Sequence, residues 1–105
     1  MPEPSPRLSP EVAAVRADLT ALRRRLHQEP ELGFAETRTA AVVAEHLTVP
    51  GIALKTGVAG TGVVATIRGG RPGRTLLLRA DMDALPIQEE TNAPYASRVA
   101  GVMHA

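Results

Sequence analysis

The sequence predicts an α/β fold: two amphipathic helices, then three short strands. Three observations carry that expectation. Val12, Val15, Leu19, Leu22 and Leu26 recur at spacings of three and four, which puts them on one stripe of a helix. Beyond Gly51 the period drops to two, with Val63, Ala65 and Ile67 alternating against Val64, Thr66 and Arg68. Thr75–Ala80 reads TLLLRA, a nearly continuous apolar run of the kind that forms a strand buried on both faces.

The elements follow in order. Residues 1–9 hold three prolines and are expected to form a disordered lead-in. Ser9 is a good N-cap, Pro10 suits the first turn, and Glu11 favours the helix dipole. Arg23, Arg24 and Arg25 fall near the C-terminal end of this first helix, where positive charge is stabilised, and Pro30 ends it. A second helix is expected from about Phe34 to Thr48, with Ala40, Val43, Ala44 and Leu47 inward and Pro50-Gly51 as the stop. Ile52 and Leu54 begin the first strand, 63–67 the second, and Gly69–Gly73 (GGRPG) is a turn before the third.

Composition narrows the function. The chain has 105 residues, about one small domain, and at 44% hydrophobic it can bury a core. Its only aromatic residues are Phe34 and Tyr95, so large anchors are scarce. Twelve basic residues against eleven acidic leave a net charge of +1, which argues against nucleic acid as a partner. The alternative of a nucleic-acid binder using Arg23–Arg25 with Arg68, Arg71 and Arg74 is disfavoured on the same ground. There is no cysteine, hence no thiol chemistry and no disulfide in these residues. No apolar run is long enough to span a bilayer and no signal core precedes the first helix, so the expectation is a cytoplasmic protein with no membrane partner.

The chemistry is expected just after the third strand, in Asp81–Pro86 (DMDALP), because open α/β sheets bind ligands at the carboxyl ends of their strands. Asp81 and Asp83, two residues apart, could bind a hard cation, share a proton or orient a histidine; they could equally cap the turn. Gly57–Gly62 (GVAGTG) has the wrong glycine order for a dinucleotide loop and precedes a strand, so it reads as a turn between strands. His27, His46 and His104 show no zinc-motif spacing; His46 is expected near the surface and His27 at a helix end.

Four stretches in this order carry a family resemblance: LHQEPELGFAET (26–37), GVAGTGVVATIRGG (57–70), LRADMDALPIQEE (78–90) and GVMHA (101–105). Together they resemble the dizinc metal-dependent amidohydrolases, the aminoacylase and carboxypeptidase-like metallopeptidases. That group includes hippurate hydrolase, N-acyl-amino-acid amidohydrolase and indole-acetyl-amino-acid hydrolase. The resemblance implies the N-terminal part of a zinc-peptidase-like three-layer α/β/α catalytic domain over residues 10–105. It also implies hydrolysis of the amide bond of N-acyl amino acids by two divalent ions, zinc or manganese, with a carboxylate as general base.

Residue by residue, the resemblance places Asp83 beside the metal site, where it orients or polarises a metal ligand. Asp81 stands where other branches carry a metal-binding histidine; the resemblance places it near the active site but gives it no ligand role. His104 belongs near the active site through the MHA motif. In the family, MHA runs into Cys-Gly-His-Asp, whose Cys and His bind metal. The expectation is therefore a truncated catalytic domain, without metal ligands of its own and without the lid or dimerisation domain that homodimer formation would need. Such a chain is expected to bind no metal and to be inactive alone. The alternative is a non-enzymatic interaction module, or one half of a split enzyme, docking through an unpaired sheet edge.

Overall fold

A computed structural model describes residues 7–105. The first six residues of the expected lead-in lie outside the described residues. Three helices and two strands follow in order: α1 (Pro10–Ala14), α2 (Arg16–Gln28), α3 (Thr37–Leu47), β1 (Ile52–Val58) and β2 (Gly62–Ile67).

Ser9 caps α1 as its side chain suggests, its Oγ accepting from the Val12 N–H at 3.3 Å. The first helix is nevertheless interrupted. Val15 has φ −95° and ψ 0°, and the helix resumes at Arg16 to run to Gln28. Its apolar stripe is mostly uncovered: Val12, Val15 and Leu19 are half exposed, because no element among the described residues packs on the first turns of this stripe.

The second helix begins later than its apolar pattern suggests. Phe34 adopts φ 62°, the left-handed region, in a tight turn where the Ala35 N–H donates to the Leu32 carbonyl at 3.0 Å. Helical geometry starts only at Thr37. At its other end Gly51, at φ 89°, lets the chain reverse directly into β1.

β1 and β2 form an antiparallel hairpin with Ile52 opposite Ile67, Leu54 opposite Ala65, and an irregularity between Lys55 and Val58. Residues 59–61 form the turn between them, with the Gly60 N–H donating to the Gly57 carbonyl at 3.2 Å. α3 packs across both strands and buries Val42 against them.

The expected third strand is not formed. Thr75–Ala80 pairs with no other strand, and Leu76, Leu77 and Leu78 are 83–85% exposed. The reason is physical: a strand apolar on both faces needs neighbours on both edges and layers on both sides, and the described residues provide neither. The buried hydrophobic core is correspondingly small, Val42 and Ala84, and the Cα radius of gyration is 16.6 Å where about 13 Å is usual for this length. Among the described residues no helix is long and apolar enough to cross a membrane.

Candidate functional site

Residues 82–85 are held in place by single backbone bridges rather than by a sheet. The Ala84 N–H donates to the Glu31 carbonyl at 2.8 Å, and Leu32 and Ala84 form a parallel bridge. Leu85 and Met103 exchange both backbone hydrogen bonds, at 2.9 and 3.0 Å. Three distant segments, 31–32, 84–85 and 103, are thereby laid side by side. This arrangement brings Asp83 between the Gly33 backbone and His104: a Cβ on Gly33 would stand 3.9 Å from Asp83 Oδ2.

His104 is the residue on which this neighbourhood converges. Burial pushes its pKa down and the nearby His27 adds to that, while the Asp83 backbone and carboxylate oppose both. Its Nε2 is buried and has no hydrogen-bond partner. Asp81 and Arg79 line the same cleft as His27 and His104, and the Asp81 carboxylate meets Arg79 Nη2 at 2.7 Å in a pair that is exposed on both sides. His46 is exposed as expected, its Nδ1 within 2.9 Å of the Val42 carbonyl oxygen in the preceding turn.

His27, expected only to finish a helix, is drawn into a half-buried polar cluster. Its Nε2 donates to Glu89 Oε1 at 2.7 Å, and the Glu89 side chain is 3% exposed. The same Oε1 accepts from the Ser97 N–H at 2.9 Å, and the other oxygen accepts from the Thr91 hydroxyl. The Thr91 hydroxyl, the Ser97 N–H and His27 hold Glu89 below the usual carboxylate range against the effect of burial. Tyr95 meets the His27 ring edge-on at 5.9 Å between centroids, and the Arg24 guanidinium lies 4.5 Å above the Tyr95 ring. His27 and His104, with Leu22, Leu26, Val63 and Met82, line an open cleft of about 850 Å³.

Two further carboxylates support the frame. Glu31 accepts from the Thr39 N–H at 2.6 Å, the Thr39 hydroxyl at 2.8 Å, the Arg38 N–H at 3.1 Å and the Thr37 hydroxyl at 3.2 Å. It thus caps α3 from six residues before the helix begins. Glu36 accepts from the Phe34 N–H at 3.0 Å and from the Thr61 hydroxyl at 2.6 Å, tying the hairpin turn to the start of α3. Sequence reasoning singled out neither of these, nor Glu89 or Tyr95. Their partners lie at irregular separations that no helix or strand period reports.

No protein-family model matches the chain. Individual proteins do. A Bacillus subtilis protein named as an amidohydrolase, YhaA, is 51% identical over 88 residues, 84% of this chain and 22% of that one. The N-acyl-L-amino acid amidohydrolase of Geobacillus stearothermophilus is 48% identical over 94 residues, 90% of this chain and 25% of that one. The crystal structure of the Bacillus subtilis YXEP protein, described as a dinuclear metal binding peptidase from the M20 family, superposes with a TM-score of 0.80. It is 43% identical, over 88% of this chain and 26% of that one.

The chain is homologous to M20-family amidohydrolases. It spans about a quarter of the length of the relatives it matches. The structural match bears out the α/β expectation, in the form of helices followed by an antiparallel hairpin. It does not bring a two-metal site with it. Among the described residues no three His, Cys, Asp or Glu side chains are grouped so as to hold a metal ion. Asp81 pairs with Arg79 and His27 with Glu89, so the two other polar side chains near His104 are already engaged. These residues do not fit a dinuclear centre.

Proposed function

We propose that residues 10–105 are the opening part of the catalytic domain of a metal-dependent amidohydrolase that hydrolyses the amide bond of N-acyl amino acids. The observation that carries this reading is the 48% identity, over 94 residues, to an N-acyl-L-amino acid amidohydrolase. Asp83 acts here as a positioning carboxylate, with Asp81 and His104 close to the substrate site. The fold supports these roles by laying segments 31–32, 84–85 and 103 side by side. Metal ligands, the lid and any homodimer contact would come from other residues. The reading is that of a cytoplasmic enzyme acting on a small-molecule substrate.

The 105-residue chain alone does not turn over substrate in this reading. Its described residues group no metal-binding side chains, and its apolar run at Leu76–Leu78 faces solvent. The test compares the native product captured from its own cells with the purified 105-residue chain, on N-acetyl and N-benzoyl amino acids. Zinc or manganese is supplied, with a chelator control. Chelator-sensitive hydrolysis is expected from the native product and none from the isolated chain. A native product that stays inactive with metal restored would overturn the amidohydrolase reading. Turnover by the isolated chain would overturn the claim that it is inactive alone.

A further inference from the structure

We propose that the half-buried Glu89–His27 pair is a positioning latch that sets where His104 stands relative to Asp83. Segment 88–104 contains neither helix nor strand, so no ladder of backbone bonds fixes it. Side chains must do so instead. Glu89 gathers donors from three places: His27 Nε2 on α2, the Ser97 N–H and the Thr91 hydroxyl. Because Glu89 is ionised and cannot donate, the proton in the 2.7 Å contact sits on His27 Nε2.

Two more ties reinforce the same join. The Arg98 N–H donates to the Gln28 carbonyl, the last residue of α2, at 2.9 Å. The Arg24 guanidinium covers Tyr95, whose ring in turn meets His27 edge-on. The fixed His27 ring then stands 6.4 Å from the His104 ring, at an interplanar angle of 41°. The Met103–Leu85 bridge closes the loop on the other side, leaving His104 held between the latch and Asp83. A carboxylate with its side chain 3% exposed is poorly replaced by water, so loss of either partner should release the segment.

The meaning of this latch for hydrolysis rests on the proposed amidohydrolase function, but its test does not. Amide hydrogen exchange and the histidine ring signals would be followed by NMR on the 105-residue chain. Glu89→Gln should lower protection at Ser97, Arg98 and Met103 about tenfold or more, the effect of losing one charge-assisted hydrogen bond. Protection at Thr39 and Ala40 in α3 should stay unchanged. His27→Ala should have the same local effect and shift the His104 ring signals. His27→Gln, whose side-chain amide can still donate to Glu89, should restore most of the protection. Equal loss at all amides, unshifted His104 signals in His27→Ala, or no protection at Ser97 and Met103 in the unaltered chain would each overturn the proposal.

Discussion

Removing the carboxylate of Glu31 is expected to be the most damaging single change outside the apolar core. Four donors converge on it: the backbone N–H groups of Arg38 and Thr39 and the hydroxyls of Thr37 and Thr39. A helix N-cap is worth about 1 kcal/mol, and hydrogen bonds to a charged group about 1.5–3 kcal/mol net. Glu31→Ala leaves the Thr39 N–H buried without a partner, so the expected loss is about 3 kcal/mol. That is a large share of the roughly 5–15 kcal/mol by which domains are stable. Glu31→Gln keeps one acceptor oxygen but turns an amide toward donors, and about half that loss is expected. The effect should also depend on pH. Burial pushes the Glu31 pKa up, yet the hydrogen bonds from Thr39, Arg38 and Thr37 together outweigh it and hold the group below its usual range. A lowered carboxylate pKa stabilises fully above the unfolded value of about 4.3, and the contribution is lost as pH falls through the folded value. Urea unfolding followed by far-UV circular dichroism, at neutral pH and again near pH 3, measures both effects. A Glu31→Ala loss under about 0.5 kcal/mol at neutral pH, or a loss that does not shrink in acid, would refute the capping argument.

Three further outcomes are expected. Gly62→Ala places a Cβ 2.5 Å from the Val58 carbonyl oxygen, so the hairpin must shift and urea unfolding should show a loss of about 1–3 kcal/mol. Leu77→Lys changes a residue that is 84% exposed; stability should move by less than about 0.5 kcal/mol, while self-association seen by light scattering falls. Asp81→Asn breaks only the exposed pair with Arg79, and thermal unfolding should shift by no more than about 0.5 kcal/mol equivalent.

Local features of the fold were legible wherever one short rule decides them. Ser9-Pro10-Glu11 marks a helix start, Pro50-Gly51 a helix stop, and the glycines of 57–62 a hairpin turn; each is found where the sequence puts it. The start of α3 was misplaced by three residues because Phe34 is apolar and in phase with the helix stripe. Its left-handed backbone is imposed by a turn closed through Glu36, a partner that periodicity does not reveal. The candidate site was legible only in part. Asp83 and His104 carry motif signals and do come together, whereas Glu31 and Glu89 act through partners up to 62 residues away and lie outside any local pattern. Asp81 has the same motif signal as Asp83, and its exposed pairing with Arg79 at the wall of the cleft is a contact the motif does not report.

The mismatch at Thr75–Ala80 is the most informative of these differences. The pattern is that of a central strand, and sequence pattern records the environment in which a segment was selected to lie. In the described chain the three leucines are 83–85% exposed instead. Burying each is worth about 1.5–3 kcal/mol, so leaving three in water forgoes several kcal/mol where, among the described residues, the buried hydrophobic ones are Val42 and Ala84. The same incompleteness appears in the uncovered stripe of Val12, Val15 and Leu19 and in the partnerless Nε2 of His104. A flanking strand would cover the leucines, a further layer would cover the helix stripe, and a polar group near His104 would satisfy its nitrogen. All three call for additional polypeptide against the chain, whichever molecule supplies it. A partner segment that raises stability without reducing the exposure of Leu76–Leu78 would contradict this argument, and hydrogen exchange at residues 76–78 with and without that segment would decide it.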